Sequence, residues 1–223
     1  DCQLFWCFKV YDAPYHEIDL PFLSMKFILT RGLILCLALP FFVNGQNHEQ
    51  FQFDGAAILI HGGAGGIERK YYTDEQVASY DSSLRVVLNV GYKLLEEGCN
   101  GMDVVVHCLT LLEDNPLFNA GKGAVVTAEG TIELDASVMN GATKKAGAVA
   151  GLKRIKNPAK LARDIMEYTP HILLIGDGAE SFAKTREHEF VENSYFLTAK
   201  RKGQYQRWKE MKKNGTVGVV LKD

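Results

Sequence analysis

Apolar positions along the chain fall into two periods, one of helical spacing and one of short continuous runs. Val77, Tyr80, Leu84, Val87, Leu88, Leu94 and Leu95 recur at helical intervals, and Thr73 with Gln76 three residues on has the spacing of a capping box. One long amphipathic helix ending near Gly98 is predicted. A second runs from about Met102 to Glu113 and should bury Val104, Val105, Cys108, Leu109 and Leu112, leaving His107 exposed or internally satisfied. Ala56–Ile60 reads instead as a buried strand that enters the glycine-rich stretch His61-Gly62-Gly63-Ala64-Gly65-Gly66. Short strands are expected at Ala124–Thr127, Thr131–Met139 and Ala146–Leu152, separated by the turn signals Glu129-Gly130 and Asn140-Gly141. Asn157-Pro158 supplies an N-cap and a first-turn proline for a helix through Glu167, followed by a strand at His171–Ile175 and a short helix to Lys184. From Thr185 to Lys213 the periodicity is lost and charge rises, which predicts a flexible linker. The pattern as a whole is that of an α/β (α+β) chain.

The N-terminal part has a different character. Residues 1–24 show no sustained period and are expected to carry no fold. Met25-Lys26 and Arg31 precede an apolar run from Gly32 to Val43, and Val43-Asn44-Gly45 resembles a cleavage site, so residues 25–45 read as a signal peptide and the protein as exported, periplasmic or secreted. Pro40 interrupts that run, which is shorter than the roughly 20 residues a spanning helix needs. A polar spacer, residues 46–55, leads into the folded part at 56–184.

Composition changes this picture little. With 23% charged and 47% hydrophobic residues, the chain has the make-up of a globular protein rather than a disordered one. Its formal charge of -2 gives no global reason to expect nucleic acid or an anionic membrane as partner, and a small neutral or zwitterionic ligand fits better. The basic, aromatic stretch around Lys200-Arg201-Lys202, Tyr205 and Arg207-Trp208-Lys209 is interleaved with acids and reads as solvated linker. Cys99 and Cys108 lack CxxC spacing and are expected to be small buried side chains.

Candidate chemistry concentrates near the C-terminal end, in Asn214-Gly215-Thr216-Val217-Gly218-Val219-Val220. Read locally, this is a turn followed by a strand. It also places a hydroxyl beside an unobstructed glycyl carbonyl. Attack by Thr216 on Gly215 would give an ester that water cleaves, leaving an N-terminal threonine whose α-amine, with a pKa of roughly 7.7–8.0, can take its own hydroxyl proton. Two further stretches stay open between structural and binding roles. The glycine loop at 61–66 lacks the Lys-Ser/Thr of a Walker loop and the third glycine of a dinucleotide fingerprint. The loop from Leu112 to Gly123 exposes main-chain carbonyls, which suit a hard cation or simply face water. Asp135 is a candidate acid or base, although a lone strand carboxylate is more often a hydrogen-bond partner.

Five stretches taken together point further: strand-His61-Gly62-Gly63-Ala64-Gly65, Asn115–Gly123, Glu133–Met139, Ala146–Gly151 and Gly215-Thr216-Val217-Gly218. In this order they resemble the plant-type L-asparaginases, also called isoaspartyl peptidases, of the N-terminal-nucleophile hydrolases. The resemblance covers about residues 56–221. It implies an αββα sandwich made from one precursor, cut before Thr216 into an α chain and a β chain that stay together and pair as an (αβ)2 dimer. Thr216 would be the nucleophile toward the side-chain amide of asparagine or a β-aspartyl peptide bond. Asn119 and Gly63 match nucleophile-orienting or substrate-side positions. The main-chain oxygens of Leu112, Glu113, Asn115, Phe118, Ala120 and Lys122 match those that hold a structural sodium ion, and the chemistry needs no cofactor. Residues 216–223 would be the first strand of the β chain. The family's substrate-clamping Arg and Asp are expected beyond Asp223, so the chain as given should be inactive alone. Lys122 and Val219 depart from the family pattern. Two alternatives remain: a glycosylasparaginase-like hydrolase, and a secreted, catalytically lapsed binding module on the same fold.

Overall fold

The first long helix forms where its cap predicts. In the computed structural model, which describes residues 8–11, 55–63 and 68–215, the Thr73 side chain accepts from the Gln76 N–H and the Gln76 side chain accepts from the Thr73 N–H. Helix α1, Asp74–Glu96, follows this reciprocal cap, and helix α2, Gly101–Glu113, is started by Asn100 accepting from the Met102 N–H. The α1 and α2 helices pack on strand β2, Ala57–Ile60, and share a small core of Val87, Val104, Cys108, Leu112 and Phe118, with Ile58, Leu84 and Tyr80 packed against it. Gly91 lets the elements approach this closely, because a Cβ there would meet Cys108 Sγ at 2.7 Å. Cys108 is buried as expected, whereas Cys99 is exposed.

The second unit of the fold is a three-stranded sheet in the order β3-β4-β5. Strands β3, Leu134–Asn140, and β4, Lys145–Leu152, are antiparallel, and β5, Leu173–Ile175, runs parallel to β4 after the crossover helix α3, Pro158–Tyr168. Leu134, Val138, Val149 and Leu152 turn one face of the sheet into the main core. They meet Leu161, Ala162, Ile165 and Met166 of α3, Met102, Val106 and Leu109 of α2, and Ala179 and Ala183 of helix α4, Gly176–Thr185. The opposite face is largely open: Met139, Leu173 and Ile175 are 62%, 52% and 64% exposed. Mixed helix and sheet agrees with the α/β reading of the sequence.

Several elements differ from expectation for identifiable reasons. Ala124–Thr127 forms no ladder beyond an isolated bridge between Val126 and Ile132, because the backbone N–H groups that a strand would use are spent elsewhere. Gly123 donates to Phe196 O, Ala124 to Gly121 O and Val125 to Asn119 Oδ1. Residues 185–215 are not an open linker: a 3-10 turn at Asn193–Phe196 leads into helix α5, Ala199–Lys213. Thr198 caps α5 by accepting from the Arg201 N–H, and aromatic side chains one turn apart supply what an apolar stripe would. Tyr205 and Trp208 stack at 5.8 Å, with Lys209 over Tyr205 at 5.6 Å and Lys212 over Trp208 at 5.0 Å. Within the stretch expected to have no fold, Phe8–Tyr11 forms strand β1, antiparallel to β2. The expected signal peptide, the spacer up to Asp54 and the strand beginning at Thr216 lie outside the described residues.

Candidate active site

Helix α2 ends in the loop that holds most of the predicted site residues. Asn115 folds the loop back by accepting the Leu117 N–H on its side chain at 3.0 Å and the Phe118 N–H on its carbonyl at 3.3 Å. Phe118 is buried edge-on against Tyr80, whose hydroxyl donates to Leu117 O at 3.1 Å. The Glu113 carbonyl accepts the Lys122 N–H at 2.7 Å, closing the loop onto the helix that precedes it. Gly123 has φ 111° and sits where a Cβ would lie 2.7 Å from Pro116 O and 2.8 Å from Phe118 O, so only glycine fits. The Lys122 ammonium lies over the Tyr195 ring at 5.5 Å and does not enter the loop.

Asn119 is half-buried, and its Oδ1 accepts the Val125 N–H at 2.9 Å, which fixes the side chain by a backbone group. It shares a narrow cleft with Glu113, Gly121, Asp135 and Ser137. Asp135 accepts the Gly151 N–H at 2.8 Å and serves there as a hydrogen-bond partner within the sheet. Gly63, with φ 103°, donates its N–H to His61 Nδ1 at 3.2 Å at the end of β2. Neither Gly63 nor Gly215 lines the Asn119 cleft; Gly215 is exposed at the end of α5, and Thr216 lies outside the described residues.

Two groups around the loop are not evident from the sequence. The Glu113 side chain turns inward, and its Oε1 accepts the Ala159 N–H at 2.9 Å, supplying the cap of α3 that Asn157 does not make. Asn157 donates instead to Asp114. Burial pushes the Glu113 carboxyl up to about 8, and its Oε2 has no hydrogen-bond partner. Arg201 reaches from α5 to donate from Nε to Gly123 O at 2.6 Å and from its terminal nitrogen to Gln204 Oε1 at 2.8 Å. Glu113 ends α2 directly before a stretch rich in turn residues, and Arg201 stands inside a basic run; only their tertiary partners distinguish them from neighbouring charges.

Among the described residues no group of three or more His, Cys, Asp or Glu side chains is placed to hold a metal ion. What the loop offers is main-chain oxygen. The motif order agrees with what comparison shows: the sequence pattern of the family described as asparaginase matches residues 54–223. The chain belongs to the asparaginase family. It is 45% identical over 158 residues to a Dictyostelium discoideum protein named putative isoaspartyl peptidase/L-asparaginase, covering 71% of this chain and 46% of that one. It is 44% identical over 183 residues to the Escherichia coli isoaspartyl peptidase, covering 75% of this chain and 57% of the relative. With the Pyrococcus horikoshii plant-type L-asparaginase it shares 41% identity over 164 residues, 74% of this chain and 50% of the other. The chain thus spans about half the length of the curated relatives it matches.

These relatives also correct the expectation of export. The secretory reading of residues 25–45 does not stand against the comparison with the E. coli, Pyrococcus and Dictyostelium relatives, which carry no name that points to export. The family match begins at residue 54, beyond the apolar run on which that reading relied.

Proposed function

We propose that this chain is the α-chain part, with the first β-chain residues, of a self-processing amidohydrolase acting on L-asparagine, β-aspartyl peptides or both. The observation that carries the reading is the family match across 54–223, which reaches Thr216 in sequence and includes the loop that fixes Asn119. In processing, Thr216 Oγ attacks the Gly215 carbonyl carbon, the C–N bond breaks as the threonine nitrogen takes a proton, and an ester forms. Water then hydrolyses that ester, giving the Gly215 carboxylate and a free Thr216. The released α-amine takes the hydroxyl proton as Thr216 attacks the substrate amide, ammonia or an amino-acid amine leaves, and water frees aspartate from the β-aspartyl ester. Asn119, held by the Val125 N–H, orients the nucleophile, and Gly63 faces the substrate. Holding nucleophile and carbonyl in place makes attack nearly unimolecular.

The family's chemistry needs no cofactor. The loop nevertheless fits a structural sodium ion. Pro116 and Phe118 carbonyls converge on one side of Gly123, and the Lys122 ammonium lies over the Tyr195 ring rather than in the loop. The carbonyls of Leu112, Glu113, Asn115, Phe118, Ala120 and Lys122 would hold the ion, which supplies order to the loop and no reaction step. The open, apolar face of β3-β4-β5 supports the sandwich architecture, with the rest of the β chain adding the second sheet, and an (αβ)2 assembly when complete.

Ammonia release from asparagine and aspartate release from β-aspartyl dipeptides by the full-length polypeptide test this reading. Both activities should vanish in Thr216→Ala. Full-length protein with neither activity, or an Ala variant retaining either, overturns it.

A further inference from the structure

The residues leading to the proposed scissile bond form a helix, and the way that helix is held decides where Gly215 sits. The first turns of α5 are clasped to the site loop. Phe196 O accepts the Gly123 N–H at 2.9 Å, and Arg201 Nε donates to Gly123 O at 2.6 Å, so both backbone groups of Gly123 are tied to the segment entering α5. One turn later the Tyr205 hydroxyl donates to Ala128 O at 3.4 Å and its ring covers Gly130. The axis of α5 therefore leads from the Asn119 loop toward the tip of the turn that follows it. Ten more residues separate Tyr205 from Gly215, roughly 15 Å of helix at 1.5 Å per residue, and they carry Gly215 onward in that direction.

Gly215 also has a second role in this arrangement. It closes α5 as a left-handed cap with φ 68°, donating its N–H to Lys212 O at 3.3 Å, while the Asn214 N–H donates to Glu210 O at 3.0 Å. The residue whose carbonyl Thr216 must attack is thus held by the helix end. Nothing in α5 is buried, and the lysine–ring contacts of its later turns stay within the helix.

We propose that α5 is a built-in brake on self-processing: its C-terminal turns must unwind before the Gly215–Thr216 bond can reach Asn119. This rests on the reading that Thr216 is cut free. Unwinding is a small step, since helical segments shorter than roughly 12–15 residues are marginal without tertiary packing. The clasp at Arg201 and Tyr205 persists meanwhile, keeping the tether anchored beside the site loop. Cleavage then proceeds at a rate set by the fraction of molecules in which residues 206–215 are unwound.

The test is a time course of processing in freshly translated full-length polypeptide, read by intact mass, with amide exchange over residues 206–213 measured on the Thr216→Ala precursor background. Gln206→Gly, at an exposed position in the segment that unwinds, should speed cleavage about threefold. Gly203→Ala, between the two clasp residues and helical in both states, is the control: its Cβ meets only the Arg207 guanidinium, at 3.7 Å, and its cleavage rate should stay within about twofold of the parent. Faster exchange in Gln206→Gly with a cleavage rate unchanged or slowed overturns the brake, as does a Gly203→Ala rate altered as strongly as that of Gln206→Gly. Exchange unaltered by Gln206→Gly overturns it too, since the end of α5 would then not be a helix–coil element. If the parent polypeptide never yields an N-terminal Thr216, the processing reading itself has failed; a parent that is cut but insensitive to α5 removes the brake alone.

Discussion

Gly123 is the point at which the site loop, the preceding carbonyls and α5 meet, and Gly123→Ala perturbs all three. At φ 111° an L side chain is strained by roughly 1–3 kcal/mol. The new Cβ would also stand 2.7 Å from Pro116 O and 2.8 Å from Phe118 O, two backbone atoms that cannot rotate away. Overpacking of this kind costs roughly 1–3 kcal/mol. Allowing partial relaxation of the loop, the substitution should destabilise by about 3 kcal/mol, a fall in Tm of roughly 6–12 °C for a chain of this size. Gly141→Ala is the matched control, because a Cβ there meets nothing within 4 Å and its φ is not positive. Thermal or urea unfolding of both variants gives the comparison, and exchange of the Val125 amide reports whether the Asn119 contact is lost. A Gly123→Ala protein within 0.5 kcal/mol of the parent, with Val125 still protected, would refute the reasoning; 0.5 kcal/mol is about the scatter of neutral surface changes.

Two further outcomes follow from buried carboxylates. Glu180 on α4 is 3% exposed and accepts the N–H groups of Lys153 and Arg154 at 2.8 and 2.9 Å as well as the Arg154 guanidinium. Burial opposes its ionisation, yet these donors outweigh burial and hold it below the usual carboxylate range. Its contribution is therefore present at neutral pH and lost as pH falls through the depressed value. Glu180→Ala should cost about 1–3 kcal/mol in urea unfolding at pH 7, since it strips two backbone N–H groups of their acceptor while the half-exposed Arg154 can turn to water, and less in acid; an equal cost at both ends would contradict the assignment. Glu113 carries the opposite sign. With its carboxyl pushed up to about 8, the folded state binds a proton that the unfolded chain has released above the ordinary carboxylate range, so stability declines from there to about pH 8. Glu113→Gln should flatten that slope by a few kcal/mol, and unfolding curves at pH 5 and 8.5 that shift in parallel with the parent would count against it.

Much of the helical framework was legible because its signals are local. Thr73 and Gln76 announced their own reciprocal cap, and Asn157-Pro158 marked the start of α3, although the capping group there is Glu113, 46 residues earlier in the chain. Sequence pattern identifies where a cap is required and cannot say which distant side chain supplies it. The same limit explains Ala124–Thr127, whose β-branched residues fit a strand while Asn119 and Phe196 compete for the backbone groups a ladder needs. The charged stretch after Thr185 concealed α5 because its stability comes from Tyr205, Trp208 and the lysines above them, an arrangement that hydropathy does not register. Of the site, the motifs set Asn119 and the carbonyl loop on one segment, which the structure closes onto the end of α2 through the Glu113 carbonyl. The Arg201 clasp stayed hidden, since an arginine in a basic run looks solvated until its partner, a carbonyl 78 residues away, is known.

The central claim is that Thr216 becomes the N-terminal residue of a second chain and then acts as its reagent. Intact-mass analysis with N-terminal sequencing of the full-length polypeptide tests this most directly. A two-chain protein whose second chain begins at Thr216 is expected, with a Thr216→Ala variant that remains in one piece. An Ala variant still cut at that bond, or an uncut parent that hydrolyses β-aspartyl substrate, would contradict it.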